Sequence, residues 1–266
     1  MGDPAPLRVT LLGTGTSTGV PIPGCRCEVC TSSDPRDSRL RCSCYIQTGG
    51  INILVDAGPD LRRQCLDNDI RAVDAVLFTH EHFDHVAGLD DLRPFLIWNR
   101  TPLPCYASEH TCDELCRRHD YIFVDGSYPG VPNLDLHRID GPVEIVSRYE
   151  APGSIRVEPV PALHGDLSIL GFRIGRFAYM TDVSRIPDAS YERLSDLQVL
   201  VLSALRKQPH PTHFSFSEAV EAAGRIGAEN TYFVHMTHNI LHARDESLLP
   251  EGISLAHDGM ILEISA

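Results

Sequence analysis

Apolar residues in this chain gather into short runs of strand length, and polar residues of a few chemical kinds stand where those runs stop. Residues 9–12, 45–46, 51–55 and 76–79 read as strands in the first third of the chain. Residues 155–160 alternate apolar with polar, and 177–180, 199–202 and 231–234 are again apolar runs of strand length. Helical spacing falls between them. Residues 216–223 follow Ser215, a suitable N-cap, and residues 88–98 read as a helix that Pro94 shortens or kinks. Residues 121–150 are rich in Gly, Pro and Asp with little periodicity, as in a lid or a long surface connection. The stretch 252–264 predicts a closing hairpin around Asp258-Gly259, with His257 a strand-end residue rather than a ligand. No repeat or low-complexity linker interrupts the pattern, so one α/β domain over residues 1–266 is expected.

Composition narrows the class. The 266 residues hold 23 basic and 36 acidic side chains, a formal charge of −13. Such a chain repels nucleic-acid backbones unless a local patch offsets the mean field. Basic residues cluster only as Arg62-Arg63, Arg117-Arg118 and Arg206-Lys207, so nucleic acid is not expected as a partner. No apolar run is long enough to cross a bilayer, which argues against a membrane partner. The opening Met1-Gly2-Asp3-Pro4-Ala5-Pro6 has neither a basic n-region nor an apolar h-region. The nine cysteines, an odd number, show no disulfide-scaffold spacing. Together these predict a cytoplasmic protein whose clustered thiols bind metal rather than one another.

Thr79-His80-Glu81-His82-Phe83-Asp84-His85 follows the apolar run Ala75-Val76-Leu77-Phe78. Imidazole and carboxylate suit zinc, manganese and iron, and the alternating His80 and His82 can converge on one ion while Asp84 and His85 serve a second. His164, Asp182 and His235 each stand at the end of another strand-like run, the placement that gathers side chains at one sheet edge. Cys25, Cys27 and Cys30 put three thiols in six residues and lack one ligand for a closed tetrahedral site. Gly13-Thr14-Gly15-Thr16-Ser17-Thr18-Gly19 has the look of a phosphate cradle, but no helical run and no Lys-Ser/Thr ending follow it, so no nucleotide cofactor is expected. Cys112 and Cys116 lie one helical turn apart near His110 and His119 and read as structural.

The His-x-His-x-Asp-His element after a hydrophobic strand resembles the signature of the metallo-β-lactamase superfamily. The likeness covers nearly the whole chain. It implies an αβ/βα sandwich, two facing β-sheets flanked by helices. It further implies two divalent ions, zinc or manganese: His80, His82 and His164 on one, Asp84, His85 and His235 on the other, Asp182 between them. Asp56, in Leu54-Val55-Asp56-Ala57-Gly58, matches a residue that orients the histidine loop. The Leu-Gly-Thr-Gly-Thr-Ser opening and Gly-Cys-x-Cys-x-x-Cys are similar to the cyclic phosphodiesterase of phosphonate breakdown, the PhnP-like branch. That likeness implies a structural zinc on Cys25, Cys27, Cys30 and His238, and a homodimer, though no residue pattern shows one.

The same branch places a histidine before the 216–223 helix against the scissile phosphate. His213 matches it better than His210, which Pro209 and Pro211 bracket in a turn. A glutamate that pairs with this histidine in tRNases has Ser203 as its counterpart here. The expectation is therefore a dinuclear hydrolase of a small, possibly cyclic, phosphodiester, in which a hydroxide bridging two metal ions attacks phosphorus. Asp84 and His213 are its catalytic residues. The alternatives are a tRNase Z-like nuclease, a thioesterase or a lactonase on the same scaffold.

Overall fold

The computed structural model describes residues 6–97, 101–124, 130–149 and 153–265. Fourteen strands occur among the described residues. In chain order they are β1 (Leu7–Gly13), β2 (Ser43–Thr48), β3 (Ile51–Val55), β4 (Ala75–Leu77), β5 (Leu103–Ala107), β6 (Leu134–Arg138) and β7 (Val143–Val146). There follow β8 (Ser154–His164), β9 (Leu167–Ile174), β10 (Phe177–Met180), β11 (Val199–Ser203), β12 (Asn230–Val234), β13 (Ile253–Leu255) and β14 (Met260–Ile264). They form two seven-stranded sheets, ordered β14-β1-β2-β3-β4-β5-β6 and β13-β12-β11-β10-β9-β8-β7. Each sheet is antiparallel in one half and parallel in the other: β3 to β6 run parallel in the first, β10 to β13 in the second.

Alternation along the strands assigns the layers. Val9, Leu11, Ile53, Val55 and Leu77 meet Phe177, Tyr179, Val199 and Val201 in a core between the sheets. The intervening Leu54, Val76 and Phe78 face an outer core with the helices Leu61–Asp67 and Glu109–Arg118. Ala178, Met180, Leu200, Leu202 and Phe233 face another, capped by the helix Phe216–Ile226. These strands are buried on both faces, which is why they read as continuous apolar runs. Burying each Leu, Ile or Phe contributes about 1.5–3 kcal/mol, so both core faces stabilise the arrangement. The result is helix, sheet, sheet, helix: the αβ/βα sandwich. The helix Phe216–Ile226 starts where expected, since Ser215 Oγ accepts from the Glu218 amide and Glu218 Oε2 accepts from the Ser215 amide at 2.8 Å.

Three expectations are corrected. Asp258-Gly259 closes no hairpin, because β13 extends the second sheet beside β12 while β14 extends the first beside β1. Two short apolar runs around Asp-Gly carry a hairpin signal, but the open edges of two different sheets take one run each. The predicted 88–98 helix is a 3-10 turn, Leu89–Leu92, followed by a separate helix Pro94–Ile97; Pro94 starts the second element, where its missing N–H costs nothing. Within 121–150 the described residues include β6 and β7, the two strands at the crossing from one sheet to the other. Residues 1–5, 98, 125–129 and 150 lie outside the described residues, and so do the parts of the leader, helix and lid expectations that fall on them.

Candidate metal centre

One edge of the sandwich collects the C-terminal ends of the parallel strands, the usual place for sites in α/β folds. Asp56 follows β3, the 79–85 loop follows β4, Asp182 follows β10 and His235 follows β12; His164 is the last residue of β8. The first sheet thus supplies His80, His82, Asp84 and His85, and the second supplies His164, Asp182 and His235. Asp56, Asp182 and His235 adopt left-handed backbone, with φ of 62°, 58° and 61°. Such strain costs on the order of 1–3 kcal/mol per residue and is held where surrounding structure over-determines it. Close packing presses the loop inward as well: a Cβ on Gly58 would lie 2.1 Å from the Asp84 carbonyl oxygen.

Hydrogen bonds orient the histidines from behind. His85 Nδ1 donates to Asp56 Oδ2 at 2.7 Å. His80 Nδ1 donates to Thr79 Oγ1 at 3.0 Å, and that hydroxyl donates to Asp56 Oδ2 at 2.9 Å. Asp56 Oδ1 also takes the Thr79 amide at 2.9 Å, so one buried carboxylate organises the start and end of the loop. His164 Nδ1 donates to the Thr212 carbonyl at 2.6 Å. In each ring the proton is fixed on Nδ1, which leaves Nε2 as the lone-pair atom for an ion.

The free atoms converge. His80 Nε2 lies 3.0 Å from His82 Nδ1, and His80, His82 and His164 form one compact ligand group. Asp84, His85 and His235 form a second, and Asp182 belongs to a third with His80 and His85. Asp182 reaches both sets: Oδ2 lies 3.1 Å from His85 Nε2 and Oδ1 3.0 Å from His235 Nε2 in the second, and the carboxylate also groups with His80 and with His164 of the first. Neither nitrogen makes a hydrogen bond, although both are buried. Buried acceptor-bearing rings aimed past a carboxylate at a shared point fit a cation there, and the donor set of imidazoles and carboxylates suits zinc or manganese.

The electrostatics agree. Burial alone would raise the carboxyl of Asp182, yet His235 and His85 hold it well below its ordinary range. Burial likewise opposes, but the neighbouring His235 and His85 outweigh it and hold the Asp84 carboxyl well below its ordinary range. Burial, then neighbouring histidines, keep His80 and His82 neutral, the form a ligand requires. His85 is the exception: burial would lower it, but Asp182 and Asp56 raise it well above the usual imidazole value. A cation arriving there displaces that proton.

His213 borders the same space. Its ring centroid is 4.4 Å from that of His164 and 4.8 Å from that of His235, and Nδ1 is 3.6 Å from Asp182 Oδ1 without a hydrogen bond. Burial, then His235, push it down to about 3, so the imidazole is neutral. His210 stands farther out, its ring 5.1 Å from that of His213. Ser203 accepts the Val183 amide on Oγ at 2.9 Å and so holds the turn that carries Asp182. Its serine identity gave no such signal in the sequence, nor did Thr79 or Thr212, whose parts depend on contacts between strand ends far apart in the chain.

A second group lies on the neighbouring loop. The Sγ atoms of Cys25, Cys27 and Cys30 are 3.3, 3.4 and 3.6 Å from His238 Nδ1. The Cys30 amide donates to Cys27 Sγ, and that bond chiefly lowers the Cys27 thiol to about 6. Three sulfurs around one imidazole nitrogen fit a tetrahedral zinc. Cys112 is buried in the outer core and Cys116 lies on the same helix, Glu109–Arg118; neither joins a ligand group among the described residues.

Residues 51–236 match the family model of the beta-lactamase superfamily domain. A solved structure described as a new diphosphatase from the PhnP family is 43% identical, with a TM-score of 0.89, and covers 98% of both chains. The Zn(2+)-bound PqqB of Methylobacterium extorquens superposes with a TM-score of 0.75 at 22% identity, over 96% of this chain and 99% of that one. A protein of Porphyromonas gingivalis named octanoyltransferase is 40% identical over 259 residues, 96% of this chain, but this chain spans only 51% of its length. Nothing in that match ties the name to the half that is shared.

Proposed function

The chain belongs to the PhnP family of the beta-lactamase superfamily, and from that premise we propose that it is a metal-dependent phosphodiesterase of small, including cyclic, phosphodiesters. The observation that carries this reading is the pair of ligand groups joined at Asp182, with an extra imidazole, His213, that belongs beside the reacting phosphate. The proposed ligands are His80, His82 and His164 for one ion, Asp84, His85 and His235 for the other, and Asp182 for both. Zinc or manganese there would neutralise phosphoryl oxygens and make a water acidic enough to lose its proton near neutral pH.

The protein's own groups do the rest. Asp182 offers a carboxylate that faces ligands of both sets, and Asp56 holds the tautomers of His80 and His85. His213, neutral and largely buried, has one N–H to offer. Placed on Nδ1, the atom that faces Asp182 without bonding to it, that proton donates to the oxygen on which charge develops as the ester bond breaks. Thioester and lactone hydrolysis have no comparable need of it. Ser203, engaged with the Val183 amide, supplies no carboxylate to pair with His213, which disfavours the tRNase reading. The diphosphatase description of the 43% identical relative supports a second substrate arm, a diphosphate linkage, since the same centre serves P–O–P and C–O–P bonds.

The test is hydrolysis of bis(p-nitrophenyl) phosphate, a cyclic ribose phosphate and a dinucleoside diphosphate by zinc- or manganese-loaded protein, with Asp84→Ala as control. Turnover of a phosphodiester that the substitution reduces at least about 100-fold is expected, in line with loss of a metal ligand. Turnover of the diphosphate alone would move the substrate class. Activity on neither, in protein holding two ions at this centre, would overturn the reading.

A further inference from the structure

Among the ligand histidines held to one ion, His82 is the one without a partner behind it. His80 has Thr79 and His164 has the Thr212 carbonyl, but among the described residues the His82 ring meets only its fellow ligands, His80 through Nδ1 and His164 by ring contact. It is half-buried, and its position depends on the backbone that carries it. That backbone is gripped from the far side. Glu81 is 4% exposed and points away from the centre. Its Oε2 accepts from Thr111 Oγ1 at 3.4 Å, and its Oε1 lies 3.3 Å from His110 Nε2. Arg118 Nη1 donates to the Glu81 carbonyl at 2.9 Å, while Arg118 Nε donates to Glu114 at 2.8 Å and fixes the guanidinium.

We propose that Arg118, with Thr111, is a positioning residue that clamps Glu81 and so sets the affinity of the ion that His80, His82 and His164 hold. The inference rests on the metal reading above, and it assigns the helix Glu109–Arg118 a task the fold alone does not require. Asp56 fixes His85 and Thr79 from within the first sheet; the Arg118 clamp fixes His82 from outside it. Asp56 thus serves a ligand of each ion, whereas the clamp serves the His80, His82 and His164 set alone. Partners behind a metal ligand ordinarily change affinity 10–100-fold when removed.

Arg118 is 40% exposed at its side chain, so its replacement spares the core. Zinc-loaded wild type, Arg118→Ala and Arg118→Lys are titrated with a chromophoric chelator, without any substrate. Arg118→Ala is expected to release one ion at about tenfold lower chelator concentration, with the remaining zinc unmoved. Arg118→Lys, which can still donate to the Glu81 carbonyl, recovers most of that loss. In turnover assays kcat falls and KM holds. Unchanged release in Arg118→Ala and in Glu81→Ala, from a wild type that binds both ions, overturns the clamp and leaves the metal centre standing. A wild type that binds no ion at His80, His82 and His164 removes both.

Discussion

Asp258 shows how a single side chain in this fold can work against its own charge. Thr14 Oγ1 donates to its Oδ1 at 2.8 Å and the Leu40 amide to its Oδ2 at 2.7 Å, tying three distant segments together. Desolvation nevertheless outweighs these bonds, with Arg39 nearby, and the carboxyl rises to about 7. An unfolded aspartate titrates near ~3.9. Between those values the native state holds a proton that the unfolded state has lost, so this group's contribution is full below about pH 4 and fades as pH rises towards 7. Asp258→Asn should therefore melt with a flatter pH dependence than wild type from pH 4 to 7, and thermal scans across that range check it. Parallel curves would mean that the carboxyl ionises normally. None of this was legible in the sequence, where Asp258 read only as a turn residue. The proposed metal ligands were legible because His80, His82, Asp84 and His85 are adjacent in the chain and need only one strand end to bring them together. Asp182 and His235 announced themselves by following apolar runs. The clamp at Glu81 did not, since its partners lie a helix away and carry no local signature.

Among the elements, the loop that carries Cys25, Cys27 and Cys30 buries Val29 but joins none of the three apolar cores, and named contacts tie it to its neighbours. Gly15 bridges to Met236, the Thr16 amide donates to the Met236 carbonyl at 3.2 Å, and His238 follows two residues later. A zinc on the three cysteines and His238 would pin this loop to the turn after β12. Cys27→Ser is then expected to lose one equivalent of zinc and to lower Tm by on the order of 5 °C, with the catalytic pair of ions retained. Metal analysis beside calorimetry reads both effects, and an unchanged melt with full zinc content would discount the pin. Element boundaries were legible where both neighbours of a strand exist, as in β3, β4, β10 and β11. They were not where a short strand chooses its sheet: nothing local tells β13 and β14 apart as members of opposite sheets.

For the whole molecule, the formal charge of −13 sets long-range behaviour. No retention of a precursor tRNA is expected in gel-shift experiments at physiological salt, and tight salt-sensitive binding would reopen the nuclease alternative. Among the described residues no helix is long and apolar enough to cross a membrane. The apolar runs made the strands legible, but the two-sheet plan was expected only through the resemblance that the His80–His85 motif carries, and the way the halves meet was not legible at all. They meet at the Leu170 amide, which donates to the Thr79 carbonyl at 3.0 Å, and at the loop exchange between Thr14 and Met236. The division of ligands between the sheets, four on one and three on the other, makes the centre a clasp across a seam. Neither half could close it alone, so an ion held by these residues would be captured only after the halves dock. An ion seated there would guard the seam: opening the sandwich at that edge would mean first giving up the ion, and slow release would then add kinetic resistance to unfolding beyond the depth of the core.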